Sequence, residues 1–416
     1  MVDGGEQAVH KSAALTRRTV AYVVVLIGYL FYCYNFNLVD YVRPYLVSNF
    51  HFTLTQTATF GVASNIGITI GALCWAGFVA RAGLRCSVLV VAASIGTIAV
   101  LQALSTTYLV WFGLRGVMAA ALGGYYVVAT GLVVALFPPS VRGKLIALNS
   151  ATYPLSNILL GTLGGALGDT NWHLLVWLAA VPLLIAPVAF LLVPRQRRLA
   201  PVLEEAQDSS LPRAPLIGGW KAMLSPRLRW ITIGCVVLSG IDFNAYQLFA
   251  SFMTLYMKQS LGYHAPQVGA TVAMLGLGSL LGGFFWAWLS DLFGRRSAAI
   301  GYVITAVTVV AFLFGGFTGT ALSLVALAFG IGLSCTSSWG VWFAELFPEH
   351  LRPYGASLFH AGHAIAMGAP VFFAFASPAL GLRWTMASAV PIYLAGAALW
   401  LALPETLGRQ AVADEA

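Results

Sequence analysis

Along this chain apolar positions neither alternate with polar ones nor recur as one helical stripe. They gather into blocks of about twenty, the length a helix needs to cross roughly 30 Å of hydrocarbon. Twelve blocks can be drawn, at 19–47, 57–80, 86–104, 108–136, 145–167 and 173–193, then at 230–257, 267–290, 297–317, 320–346, 354–378 and 384–403. The long polar stretch Pro194–Arg229 separates the sixth from the seventh. It holds prolines, the acidic cluster Glu204, Glu205 and Asp208, and basic flanks, and it reads as a linker whose 219–228 portion is a candidate amphipathic surface helix. The expected organisation is a tail at 1–18, a six-helix bundle at 19–193, a linker at 194–229, a second six-helix bundle at 230–403 and a tail at 404–416. The fold class is thus an all-α membrane protein of twelve transmembrane helices in two bundles. The first block is too long for a secretory signal and lacks a small-residue cleavage site, so it is expected to remain as the first span.

Composition fixes lipid as the solvent: 59% of the 416 residues are hydrophobic and only 9% are charged, with a mean hydropathy of +0.83. The charges also orient the chain. Setting aside Arg43 and Arg115, which fall inside spans, eighteen Lys and Arg lie on the side of the N-terminus and only Lys258 and Arg383 lie on the other. Positive loops stay in the cytoplasm, so both termini are expected there, in a bacterial inner membrane. The same bias accounts for the net charge of +8. The bases are spread over short loops with no basic groove, so no nucleic-acid partner is expected. Cys33, Cys74, Cys86, Cys235 and Cys335 are scattered through apolar segments with no CxxC or ligand spacing. They read as packing residues, and neither metal nor cofactor is expected.

The two sets of six spans repeat at an offset near 210 residues. Ala-Leu-Phe-Pro-Pro-Ser-Val-Arg at 135–142 is echoed by Glu-Leu-Phe-Pro-Glu-His-Leu-Arg at 345–352, and Gly83 in ARAGLR by Gly294 in DLFGRR. Trp172 and Trp384 open the sixth span of each set, and Val-Pro at 193–194 matches Leu-Pro at 403–404. The bundles are therefore expected to be pseudo-symmetric.

At these residues the chain resembles the major facilitator superfamily. Ser290–Arg296, SDLFGRR, resembles the second half of its loop signature G-x-x-x-D-R-x-G-R-R, and LPETLGR at 403–409 looks like the closing motif of the sugar-porter and metabolite:proton symporter branches. Arg115, in FGLRGVMAAALGG, sits where those branches carry a fourth-helix arginine. The resemblance implies the major facilitator fold, alternating access, and a conformational gate at the cytoplasmic loops. Matching positions are Asp291, Gly294, Arg295, Arg296, Glu345, Arg352 and Glu405, with Arg81, Arg85 and Arg142 in the first half. The first half has lost the acids: Ala80, Ala135 and Arg195 stand where Asp291, Glu345 and Glu405 map.

Ionisable residues inside spans are costly and mark function. Asp40 and Arg43 share a face of span 1 at i, i+3, and Arg115 lies on span 4 at the same level, roughly 10 Å below the outer surface. One acid and two bases suit an anionic solute, Arg43 and Arg115 binding it. The alternative is that Asp40 and Arg115 only lock helices while Arg43 snorkels. In the symporter branches a first-span acid often pairs with the fourth-span arginine and carries the proton, and Asp40 with Arg115 resembles that pair. The aromatic-acid symporters' own acid aligns nearer Asn35. Asp242 lies midway along span 7. Asn35, Asn37, Tyr153, Asn157, Asn244 and Trp339 are further candidates for a polar midplane cavity, although small polar residues also serve as helix contacts. His360 and His363, at i, i+3 in span 11, could accept protons or simply pack.

The expected function is secondary active transport of a small organic anion, a carboxylate, with proton symport by Asp40, Asp242, His360 or His363, in a monomer. A proton-coupled efflux antiporter and an uncoupled facilitator are the alternatives. Efflux members carry a G-P-x-x-G-G motif in the fifth helix, where this chain reads LGTLGGALG at 160–168. An enzyme is not expected, for there is no P-loop, HExxH or GxSxG.

Overall fold

A computed structural model describes residues 3–194 and 221–407. The middle of the linker, with Arg195 and the acidic cluster, lies outside the described residues, as do the chain beyond 407 and the side chain of Ala80. Every described element is helical, and among the described residues nine helices are long and apolar enough to cross a membrane. Of the expected surface helix at 219–228, residues 219 and 220 lie outside the described residues, 221–223 are helical, and turns follow to Leu228 around Pro226.

The helices follow the twelve blocks once their breaks are counted. Helix α1 (Asp3–Phe50) carries span 1, and α2 (Leu54–Leu104) carries spans 2 and 3 across a break at Gly83. Helices α3 (Tyr108–Leu136) and α4 (Pro139–Asn171) are spans 4 and 5, while α5 (His173–Leu178) and α6 (Val181–Leu192) share span 6. Helices α7 (Arg229–Gln259), α8 (Ala265–Phe293) and α9 (Ile300–Phe314) are spans 7 to 9. Span 10 joins α10 (Gly319–Leu333) to α11 (Trp339–Glu345) through a 3₁₀ turn at Ser334–Ser338. Span 11 begins in α12 (Arg352–Ala361) and α13 (His363–Ala366) and enters α14 (Gly368–Ala387), which breaks at Gly381 into span 12, completed by α15 (Ala389–Ala402).

The repeat is visible in bonds as well as in sequence. Gly83 and Gly294 both adopt positive φ, 77° and 92°. The indole N–H of Trp75 donates to the carbonyl of Ala120 at 2.9 Å, and that of Trp286, 211 positions on, to Ile331 at 2.6 Å.

Packing gathers the chain into two units whose limits cut through spans 1, 2 and 5. One is Met1–Leu38, Ile66–Ser156 and His173–Ser210; the other is Val39–Asn65, Asn157–Trp172 and Leu211–Ala416. In the second unit the far ends of spans 1, 2 and 5 pack on helices of the second repeat, and glycine makes the approach possible. A Cβ on Gly161 would stand 2.5 Å from the Ala273 nitrogen, and one on Gly269 2.3 Å from the Gly161 oxygen. The glycine-rich run 160–168 is a helix-packing seam. Large apolar side chains such as Leu109, Leu184, Phe284 and Phe375 are exposed, as a surface bathed in lipid requires.

Candidate functional site

Proline sets up the first polar cluster. Pro44 inside α1 has no N–H, so the carbonyl of Asp40, one turn back, loses its helical donor. Thr254 of α7 supplies one, its hydroxyl donating to that oxygen at 2.6 Å. Pro378 does the same to Ala374, whose carbonyl accepts from Thr55 at 3.3 Å. At the first of these places Asp40 and Arg43 form an ion pair of 2.7 Å, and Ser251 donates to the other carboxylate oxygen at 2.9 Å.

Arg43 is only 3% exposed and spends all three guanidinium nitrogens: on Asp40, on the Ser251 carbonyl at 3.0 Å and on the Thr57 carbonyl. Its charge also lies over the Phe252 ring at 4.1 Å. Removing one member of so buried a pair costs about 3–5 kcal/mol. Arg43 does not snorkel, as the alternative reading had it, but forms its ion pair with Asp40. At i, i+3 the carboxylate and guanidinium meet without any helix having to move.

Arg115 belongs to the other unit. It is buried on α3, and its two terminal nitrogens donate to the carbonyls of Asn35 and Phe36 at 2.9 Å each. Asn35 donates to Phe31 and Ala179 carbonyls, and Asn37 to Ser156 at 3.2 Å, leaving its own buried Oδ1 without a bond. The Tyr153 ring meets Phe36 edge-on. In the second unit Asn157 is buried with its amide nitrogen unbonded, as is the indole N–H of Trp339, packed among Phe343, Tyr302 and Trp400.

Asp242 faces inward from α7. It is 6% exposed, and it accepts from the Tyr302 hydroxyl at 2.9 Å. Among the described residues it makes no ion pair. One residue on, Phe243 turns to the other side and stacks on His363. Asn244 donates to Gly240 and Ile365 carbonyls, and Gln247 pairs its amide with Asn65 of span 2, which also lies 3.3 Å from His363 Nδ1. His360 lies parallel to His363 at 6.4 Å.

At the arginine-rich end of the second repeat five of the residues expected to form a gate, Asp291, Arg295, Arg296, Glu345 and Glu405, are joined. Arg295 holds Glu345 through two nitrogens at 3.1 and 2.9 Å and Asp291 at 2.5 Å. Glu405 accepts from the backbone N–H groups of Arg295 and Arg296 at 2.9 Å each, capping the turn that opens span 9, and Arg296 donates to the Leu403 carbonyl. Burial alone would push the Glu405 carboxyl up, but backbone N–H groups of Arg296, Leu407, Arg295 and Thr406 outweigh it and hold the group below its ordinary value. Exposed Arg352 joins none of these contacts among the described residues.

Three parts escaped the sequence reading. Tyr302 as the partner of Asp242 and Asn65 as that of Gln247 carried no spacing signal, being sixty and 182 residues away. Asp169, at the end of α4, binds Lys258 at 2.5 Å and caps α8 through the Ala265 N–H at 2.6 Å. An acid just beyond the glycine-rich run was the available clue.

The pattern of the Major Facilitator Superfamily matches residues 25–247 and 235–415. The chain belongs to the major facilitator superfamily. It is similar to the niacin transporter NiaP of Acinetobacter baylyi, 24% identical over 379 residues covering 83% of this chain and 82% of that one. It is likewise similar to the gentisate transporter of Corynebacterium glutamicum, 22% identical over 354 residues covering 83% and 77%. Among solved structures the inward-open xylose transporter XylE from E. coli matches with a TM-score of 0.71 at 18% identity, covering 94% of this chain and 98% of that one, a likeness of fold. As a major facilitator protein this chain is a multi-pass membrane transporter and not an enzyme.

Proposed function

We propose that this carrier moves a small carboxylate across a bacterial inner membrane by alternating access, with proton symport and both termini in the cytoplasm. The similarity over four-fifths of the chain to carriers named for niacin and gentisate supports the substrate class. The observation that carries the coupling is Asp242. Asp40 is neutralised by Arg43, whereas the buried Asp242 carboxyl has a hydroxyl for a partner and can gain or lose a proton without breaking an ion pair.

The test is uptake into proteoliposomes of benzoate, nicotinate and gentisate with and without an inward proton gradient. We expect accumulation driven by the gradient, and in Asp242→Asn an abolished accumulation with exchange retained. Gradient-independent equilibration in the parent would make the protein a facilitator, and accumulation surviving in Asp242→Asn would remove Asp242 from the coupling. Transport of none of the three acids would overturn the substrate class.

A further inference from the structure

The face of α7 opposite Asp242 carries Phe243, Asn244 and Gln247, all half-buried, and it meets His360 and His363 of span 11. The half-buried amides of Asn244 and Gln247 are not stable against hydrocarbon in mid-span, so this face borders a water-accessible space. Three of the rings on it, Phe243, His363 and His360, lie in nearly parallel planes. Phe243 and His363 stack with centroids 3.9 Å apart and planes 20° apart, and His360 continues parallel to His363 within 12°. Phe359 closes one side at 5.1 Å.

The stack is held in place rather than loosely collapsed. Asn65 and Gln247 bond amide to amide, at 3.1 and 3.4 Å, and the Asn65 oxygen that accepts from Gln247 also lies 3.3 Å from His363 Nδ1. A core that needed only volume would use aliphatic side chains, which fill space without polar atoms to satisfy. Two locked amides fixing the tilt of an imidazole against a phenyl ring give a rigid, flat surface with hydrogen-bonding edges. Such a surface loses little entropy when a second flat group lies on it.

We infer that the Phe243–His363 stack, steadied by Asn65 and Gln247, selects the planar, conjugated members of the carboxylates this carrier takes. The inference rests on the carboxylate reading above and adds to it a shape requirement and the residues that impose it. Phe243 supplies the π face. His363 and the amide pair set the angle of that face.

Benzoate and cyclohexanecarboxylate test this directly, since both present one carboxylate on a six-membered ring and only one ring is flat. Binding of each is measured calorimetrically on the full-length purified carrier. We expect the parent to prefer benzoate by about threefold to tenfold, the range an aromatic stacking contact contributes. Phe243→Leu should erase the preference while holding cyclohexanecarboxylate within about twofold of the parent, a window narrower than the stacking effect. Phe243→Tyr should keep the preference, which separates loss of the ring from loss of the fold. Equal binding of the two acids by the parent, or a preference that survives Phe243→Leu, would overturn the inference and leave the carboxylate reading standing. Binding of neither acid would overturn both.

Discussion

Gly83 and Gly294 occupy the same place in the two sequence repeats and share one backbone turn, φ 77° and ψ 162° at the first, φ 92° and ψ 159° at the second. Two residues on, Arg85 donates to the Phe190 carbonyl at 2.6 Å and Arg296 to the Leu403 carbonyl at 2.8 Å, so each turn is tied to the end of the sixth span of its own repeat. Between them the repeats part. Arg295 stands where the first repeat has Leu84, and the acids it holds, Asp291 and Glu345, map to Ala80 and Ala135. The comparison separates two things that the loop signature presents as one. Glycine alone suffices for the turn, because only a residue without Cβ takes that φ at no cost. The charge net is an addition that one repeat has and the other lacks, so the two turns differ in strength while agreeing in shape.

The largest test copies the first repeat into the second. Arg295→Leu leaves the partly buried Glu345 with the Thr406 hydroxyl but no countercharge and releases Asp291, and the expected loss is about 2–4 kcal/mol, most of it from Glu345 because Asp291 is well exposed. The apparent melting temperature in detergent reports it. A Leu84→Ala control should move it far less, and equal shifts would mean that the net adds nothing to the turn.

Next comes the glycine itself. A Cβ at Gly294 would lie 2.6 Å from Glu405 Oε2, so Gly294→Ala strains φ and also displaces a carboxylate that caps the turn, about 1–3 kcal/mol in all. Gly83→Ala meets the same φ, but the position matching Glu405 is Arg195 in sequence. The second-repeat variant should therefore be the less stable of the two. The opposite order would place the value of the turn in something other than the cap.

The smallest effect is a pH dependence. The Glu405 carboxyl lies below its ordinary 4.5 in the folded protein, so its contribution is complete above that pH and is lost as pH falls from there through the lower folded value. Stability of the parent relative to Glu405→Gln should shrink on acidification across that window. The group is only partly buried, so solvent screening keeps the effect small. A gap between parent and variant that stays constant as pH falls would show that the charge on Glu405 is not what holds the turn.

Much of this architecture was legible along the chain. Twelve apolar blocks, an offset near 210 and a bias of positive loops are properties of composition and period, and the bilayer enforces them whatever the packing. The i, i+3 pair of Asp40 and Arg43 was equally readable, because a helix brings those positions together by its own geometry. The carbonyl that Pro44 frees and Thr254 claims was not, since it depends on which helix lies alongside. The same holds for the hydroxyl on Asp242, for the amide that steadies His363 and for the glycine seam between Gly161 and Gly269. Sequence determined the solvent, the spans, the repeat and, within span 1, the meeting of Asp40 with Arg43. Contacts between residues sixty to three hundred positions apart were decided by tertiary packing, because local period and propensity carry no term for which faces of separate helices meet.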